Sequence, residues 1–225
     1  MKKSEVMALI KANERSQIAR KINTEGKLKT FDIGLTTLRK LAKQIGRDHS
    51  LALELWNSDV YEARVIGLLI DDPKQITRQQ AEAQVEELEQ GALGHVFSSC
   101  DASLAKTPFV VELAEEWIKS KHRRRRKCGY GLLYEISKMK GKKAPDDAFF
   151  LKHIKNIEEA YKKNGSVEGA FSLLGIGKRN VKLNAAALKV AKLIGPIESE
   201  DKNCDPFDLA DHLSKDHLKR RLGIK

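Results

Sequence analysis

Residues 121–140 read KHRRRRKCGYGLLYEISKMK. Placed on a helix at about 100° per residue, they divide into two sides. Cys128, Gly129, Leu132, Leu133, Ile136 and Met139 form an apolar side. Arg123, Arg126, Lys127, Tyr130, Tyr134, Ser137 and Lys138 form the other. The stretch is therefore an amphipathic helix opened by four arginines, Arg123, Arg124, Arg125 and Arg126. Cations interleaved with two tyrosines suit a phosphate backbone, because cations displace its counterions and aromatic faces stack on bases. A solvated face is the plain alternative. The planar fork of arginine fits phosphate better than solubility alone requires, which favours the first reading.

The same 3.6-residue period extends in both directions, with little β-branched alternation. Upstream, Ser4–Ala12 and Asn13–Ile22 read as a helical pair, followed by a loop broken by Gly26 and Gly34. Helices follow from Leu35 to Ile45, after Asp48, and after Asp59 as a cap. Another begins at the Thr77/Gln80 capping box, and one opens with Thr107 as N-cap and Pro108 in its first turn. Downstream come AFFLKHIKNIEEAYKK, a break at Asn164-Gly165, and KLNAAALKVAKLI ending at Gly195-Pro196. Helix pairs recur about every 35 to 45 residues without a strict sequence repeat, as stacked helical repeats do. The expected fold is all-α, a HEAT-like helical repeat solenoid (an α-α superhelix) with a concave basic surface. Residues 1–195 would form the repeat domain, with 1–30 as its first pair. Residues 196–225 would add a polar loop and one amphipathic helix.

The chain has 225 residues, 41% of them hydrophobic and 32% charged, enough for a core beneath a large polar surface. A net charge of +11 predicts a polyanionic partner. No apolar run approaches the ~20 residues that span a bilayer, so a membrane role is disfavoured. The N-terminus lacks the apolar core and cleavage site of a signal peptide. Cys100, Cys128 and Cys204 are an odd number at wide spacings, with neither a zinc pattern nor a disulfide framework. They read as reduced thiols of a cytoplasmic protein. No metal or small-molecule cofactor is expected.

Three strings, in order, carry a resemblance: LTTLRKLAKQIGRDHSLALELWNSDVYEARVIGLLIDDP, CDASLAKTPF and IGKRNVKLNAAALKVAKLIG. With the polar loop around Cys204, they resemble AlkD-type DNA alkylation repair proteins over roughly residues 30–210. Those are HEAT-like repeat glycosylases that release cationic alkylated purines. The resemblance implies double-stranded alkylated DNA as partner, a monomer, and hydrolysis of the N-glycosidic bond of N3- or N7-alkylated purines. It places the family's catalytic aspartate on Asp101, its nearby tryptophan on Phe97 and its supporting arginine on Lys127. A second family aromatic falls on Phe171, and the arginine after it on Leu174.

The chemistry agrees with one carboxylate. A cationic purine leaves without a general acid, so the protein needs negative charge near the sugar oxocarbenium and a held water. Phe97 and Asp101, four apart, would share a helix face as aromatic floor and carboxylate. The opposing reading makes Phe97 core and Asp101 an ion-pair partner. Lys178 and Arg179 hold phosphate or merely cap a helix. Arg39, Lys40 and Lys43 read as a solvated face, Glu62 and Arg64 as an inter-repeat salt bridge, and Trp56 and Trp117 as core. Cys100 reads as a small buried residue with no histidine near it. Two further functions stay open: a nucleic-acid-binding module without catalysis, and a protein-interaction solenoid.

Overall fold

A computed structural model describes residues 1–14, 28–88, 92–198 and 205–224. Among them there are thirteen α-helices, one 3-10 turn, no strand, and two isolated bridges. The chain divides into two compact units, Met1–Glu112 and Leu113–Lys225.

The first unit holds α1 (Lys3–Ala12), α2 (Leu35–Ile45), α3 (His49–Trp56), α4 (Tyr61–Ile70), α5 (Arg78–Val85) and α6 (Leu93–Ser98). The 3-10 turn Leu104–Lys106 follows, then the start of α7 (Val110–Ile118). Helix α4 is central, packing on α1, α2, α3 and α6. It approaches α3 so closely that a Cβ on Gly67 would lie 2.8 Å from the Ala52 carbonyl oxygen. Leu38, Leu55, Ile66, Ile70 and Leu93 are fully buried in this core. Each such side chain contributes about 1.5–3 kcal/mol.

The second unit continues α7 and adds α8 (Arg123–Ile136), α9 (Asp147–Asn164), α10 (Ser172–Gly177), α11 (Val181–Ile194), α12 (Leu209–Ser214) and α13 (Asp216–Leu222). Helix α11 packs on α9, α10 and α12, and α10 packs on α8. The two-sided reading of α8 holds: Cys128, Gly129, Leu132, Leu133 and Ile136 are buried. Trp117 and Phe150 fill the same unit's core.

Local signals explain most helix ends. Asp48 accepts from Leu51 N–H at 3.0 Å, Asp146 from Phe149 N–H at 2.9 Å, and Asn180 from Leu183 N–H at 2.9 Å. Gly165 ends α9 in the left-handed region, at φ 70°. Several expected details differ. Val60, not Asp59, is the N-cap of α4, because Asp59 pairs with Lys29 at 2.6 Å. Thr77 accepts from Gln80 N–H as expected, but the Gln80 amide donates to Asp71 instead of closing a capping box. The Thr107 hydroxyl donates to the Leu104 carbonyl, and α7 starts only at Val110. Ser137 is buried, its hydroxyl turned onto the Tyr134 carbonyl. The C-terminal segment carries two short helices rather than one. Residues 15–22 of the expected N-terminal pair, and Cys204, lie outside the described residues.

Candidate nucleic-acid interface

In the first unit the expected carboxylate site does not share a helix. Helix α6 ends at Ser98, and the chain then turns with Cys100 at φ 55° and Asp101 at φ 61°. The four-residue spacing from Phe97 therefore spans a helix end, and the 100° rule no longer applies. Phe97 is buried at 3% exposure, beside Leu68, Ile76 and Leu104. It is a core residue and not a floor beside the carboxylate. Asp101 is exposed at the turn. Two successive non-glycine residues at positive φ are rare and cost about 1–3 kcal/mol each.

The turn has neighbours that the sequence reading did not supply. The His95 imidazole Nε2 meets Cys100 Sγ, so Cys100, half-exposed, does have a histidine beside it. The Arg39 guanidinium reaches the Cys100 carbonyl at a long 3.5 Å, so Arg39 does more than stand in solvent. Among the described residues, Glu62 forms no salt bridge with an arginine. It is fully buried and accepts from the Thr30 hydroxyl at 2.7 Å and the Phe31 N–H at 2.9 Å, fastening the loop before α2. Arg64 instead meets Glu87 at 2.9 Å and lies over the Trp56 ring. A polar knot at the surface, also unforeseen, joins His49 Nδ1 to buried Asp71 at 2.6 Å, with exposed Arg47 donating to the Leu69 carbonyl at 3.1 Å.

In the second unit, α8 opens with the arginine run. Arg126 grips both oxygens of Glu168, at 2.7 and 3.0 Å, and donates to the Ser120 and Lys121 carbonyls. Arg123 stands 3.5 Å from the same carboxylate. Part of the run thus closes this unit on itself. Arg124 and Arg125 are half-buried, and Lys127 is exposed.

Tyr130 and Tyr134 do not stand free among the cations. A Cβ on Gly169 would lie 2.6 Å from the Tyr130 ring, and one on Gly175 2.9 Å from the Tyr134 ring. The glycines let α8 and the α10 segment approach, and the rings fill the seam; burial raises the Tyr130 pKa.

The C-terminal ends of α8, α10 and α13 gather cations. Arg179 donates to the Ser137 carbonyl at 2.6 Å and the Met139 carbonyl at 3.0 Å, and lies 4.3 Å from the Phe150 ring centroid. It thus covers the C-terminal carbonyls of α8, a different helix from the one whose end it occupies in sequence. Lys138 chelates Glu135 and lies 4.7 Å from the Tyr134 ring centroid. Arg221 donates to the Lys178 carbonyl at 3.2 Å. Exposed Lys178 has its pKa lowered by partial burial and then by the charges of Arg221 and Lys138. Phe171, just before α10, is 49% exposed. Its ring meets Phe207 with centroids 5.3 Å apart. Leu174, where the family resemblance puts an arginine, is buried core.

Charge divides unevenly along the chain. Residues 1–112 carry 16 Lys and Arg against 16 Asp and Glu, while residues 113–225 carry 26 against 15. The whole excess of +11 belongs to the second unit. Among the described residues, no group of three or more His, Cys, Asp and Glu is placed to hold a metal, and no helix is long and apolar enough to cross a membrane.

A solved structure is similar in fold, with TM-score 0.80 over 100% of this chain and 97% of its own at 18% identity. It represents a new family of proteins related to the HEAT-like repeat DNA glycosylases with affinity for branched DNA structures. The fold is thus the HEAT-like helical repeat expected from the sequence. No curated protein matches the chain. The family model described as DNA alkylation repair enzyme matches residues 3–163, well over half the length. The chain belongs to the DNA alkylation repair enzyme family.

Proposed function

We propose that this protein binds DNA in alkylation repair and holds the phosphate backbone through its second unit. The carrying observation is the placement of the entire +11 on residues 113–225. Arg124, Arg125 and Lys127 at the head of α8, and Lys138, Lys178 and Arg221 at the gathered helix ends, are the groups assigned to phosphates. Cations released from DNA on binding supply the affinity, so binding weakens steeply with salt. The affinity of the similar protein for branched DNA supports the same partner class here. The reduced thiols agree with a cytoplasmic setting. The test is equilibrium binding of labelled duplex and branched DNA across a salt series. A log–log slope of several negative units is expected, about 0.9 per phosphate neutralised. Binding that ignores salt, or no binding at moderate salt, sinks the reading and favours a protein partner.

A second reading rests on the strained, exposed Asp101 turn: release of N3- or N7-alkylated purines from duplex DNA. The bond from the sugar C1′ to the purine nitrogen breaks, and its electron pair leaves with the already cationic base, neutralising it. Asp101 stabilises the oxocarbenium, and water adds to C1′ while giving up a proton. Buried Phe97 takes no part in holding the lesion in this scheme. Lys127 belongs to backbone binding only, as a point charge where a family arginine would be bidentate. Base release from methylated duplex, wild type beside Asp101→Asn, is expected to fall at least about tenfold in the variant. Equal rates would remove Asp101 from the chemistry.

A further inference from the structure

Three aromatic rings form a contiguous cluster on the second unit, and the binding of phosphates does not use them. Phe171 and Phe207 meet with centroids 5.3 Å apart, tilted by 43°. Phe207 and His212 are stacked, with centroids 4.4 Å apart and an interplanar angle of 28°. All three lie beyond residue 163, where the match to the family model ends.

The backbone fixes the rings in this order. Phe207 is held by a two-way bridge to Ile197, with N–H to O distances of 2.8 and 3.0 Å. Asp208 then caps α12, accepting from the Ala210 and Asp211 N–H groups at 2.8 and 3.0 Å. One turn on, His212 Nδ1 sits 3.0 Å from the Asp208 carbonyl, which fixes Nδ1 as the donor and orients the ring. The outermost ring, Phe171, keeps 49% of its surface in water even after meeting Phe207. A core would have closed over it; a stacking partner can use it.

Lys178 ends the helix that Phe171 precedes, about 10 Å along the axis at 1.5 Å per residue. Lys138 and Arg221 adjoin Lys178. Aromatic rings beside a cation cluster are the chemistry of single-stranded nucleic acid: bases stack while phosphates are neutralised. Bases inside a duplex have both faces covered by their neighbours, whereas an unpaired base at a branch point has a free face.

We propose that the Phe171–Phe207–His212 cluster seats an unpaired nucleobase at a DNA branch point, with Lys178, Lys138 and Arg221 on the adjoining phosphates. This rests on the DNA-binding reading above and names the feature of the DNA that the second unit selects.

The test uses the full chain and three DNAs of equal length: a duplex, a fully paired three-way junction, and that junction with two unpaired nucleotides, one of them 2-aminopurine. Wild type is expected to bind the unpaired junction about tenfold more tightly than the duplex and to quench 2-aminopurine by stacking. Phe207→Leu keeps apolar bulk without a ring, and Phe171→Leu does the same at a side chain that is 49% exposed. Each should lose most of that preference and the quenching, at unchanged duplex affinity and unchanged melting temperature. Preference retained in both variants overturns the proposal, as does wild type that binds duplex and junction alike. If wild type binds no DNA of any form, the underlying DNA-binding reading falls as well, which separates the two failures.

Discussion

His153 lies in the second unit at 2% exposure, with neither ring nitrogen hydrogen-bonded. Glu115 is 3.7 Å away, and the Phe149 ring packs edge-on. Burial lowers its pKa from 6.5 to about 4; Glu115 opposes the shift, while Lys152 and Lys119 add to it. Because the folded state resists protonation, the unfolded chain binds the extra proton first. The stability due to neutral His153 is therefore complete above about pH 6.5 and is lost as pH falls toward about 4. The loss is about 3 kcal/mol at most. Urea denaturation at pH 7 and pH 4.5 should show a drop that His153→Phe largely abolishes. At the same scale, Asp101 illustrates what a sequence conceals. The resemblance puts the family's carboxylate there, but the backbone sits in the left-handed region. No residue type in GHVFSSCDASLAK announces that region, because neither Cys100 nor Asp101 is glycine.

Helices were the most legible elements, since period and caps act within four residues. Asp48, Asp146 and Asn180 all accept from the N–H three residues on, at 2.9–3.0 Å. The missed caps failed for one shared reason. Asp59 and Thr107 had better partners elsewhere: the Lys29 ammonium for one, the Leu104 carbonyl for the other. Close helix packing also depends on contacts distant in sequence. Gly67 allows α4 onto α3, where an added Cβ would stand 2.8 Å from the Ala52 carbonyl and 3.3 Å from the Trp56 nitrogen. Both obstacles are backbone and cannot swing aside. Gly67→Ala should therefore destabilise the protein by about 1–3 kcal/mol despite the better helix propensity of alanine. A thermal melt measures it, and an unchanged midpoint would mean that α3 and α4 separate more easily than their packing implies.

At the scale of the whole molecule, charge is the feature with a functional consequence. The first unit is balanced and the second carries the excess. Replacing Lys178 and Arg221 together by Gln should make the salt slope of DNA binding shallower by about 1 to 2, at about 0.9 per phosphate. The matching change at Arg39, Lys40 and Lys43 of the first unit should leave the slope nearly unaltered. Arg126 is a poor probe for such a test: its bidentate grip on Glu168, 42 residues away, means that replacing it strips a structural clamp as well as a charge.

The sequence by itself determined the helical class, the positions of most helices, the apolar side of α8 and the excess of positive charge. These follow from periodicity, local capping and composition, which need no knowledge of what lies far along the chain. Only the tertiary structure decided which polar groups were already engaged. It gave Arg126 to Glu168, turned Glu62 onto the loop before α2, and sank Tyr130 and Tyr134 into the seam with Gly169 and Gly175. It also brought Phe171, Phe207 and His212 into one cluster. A helix face repeats every few residues, but a contact between distant residues leaves no such period, so its partners emerge only when the chain has folded.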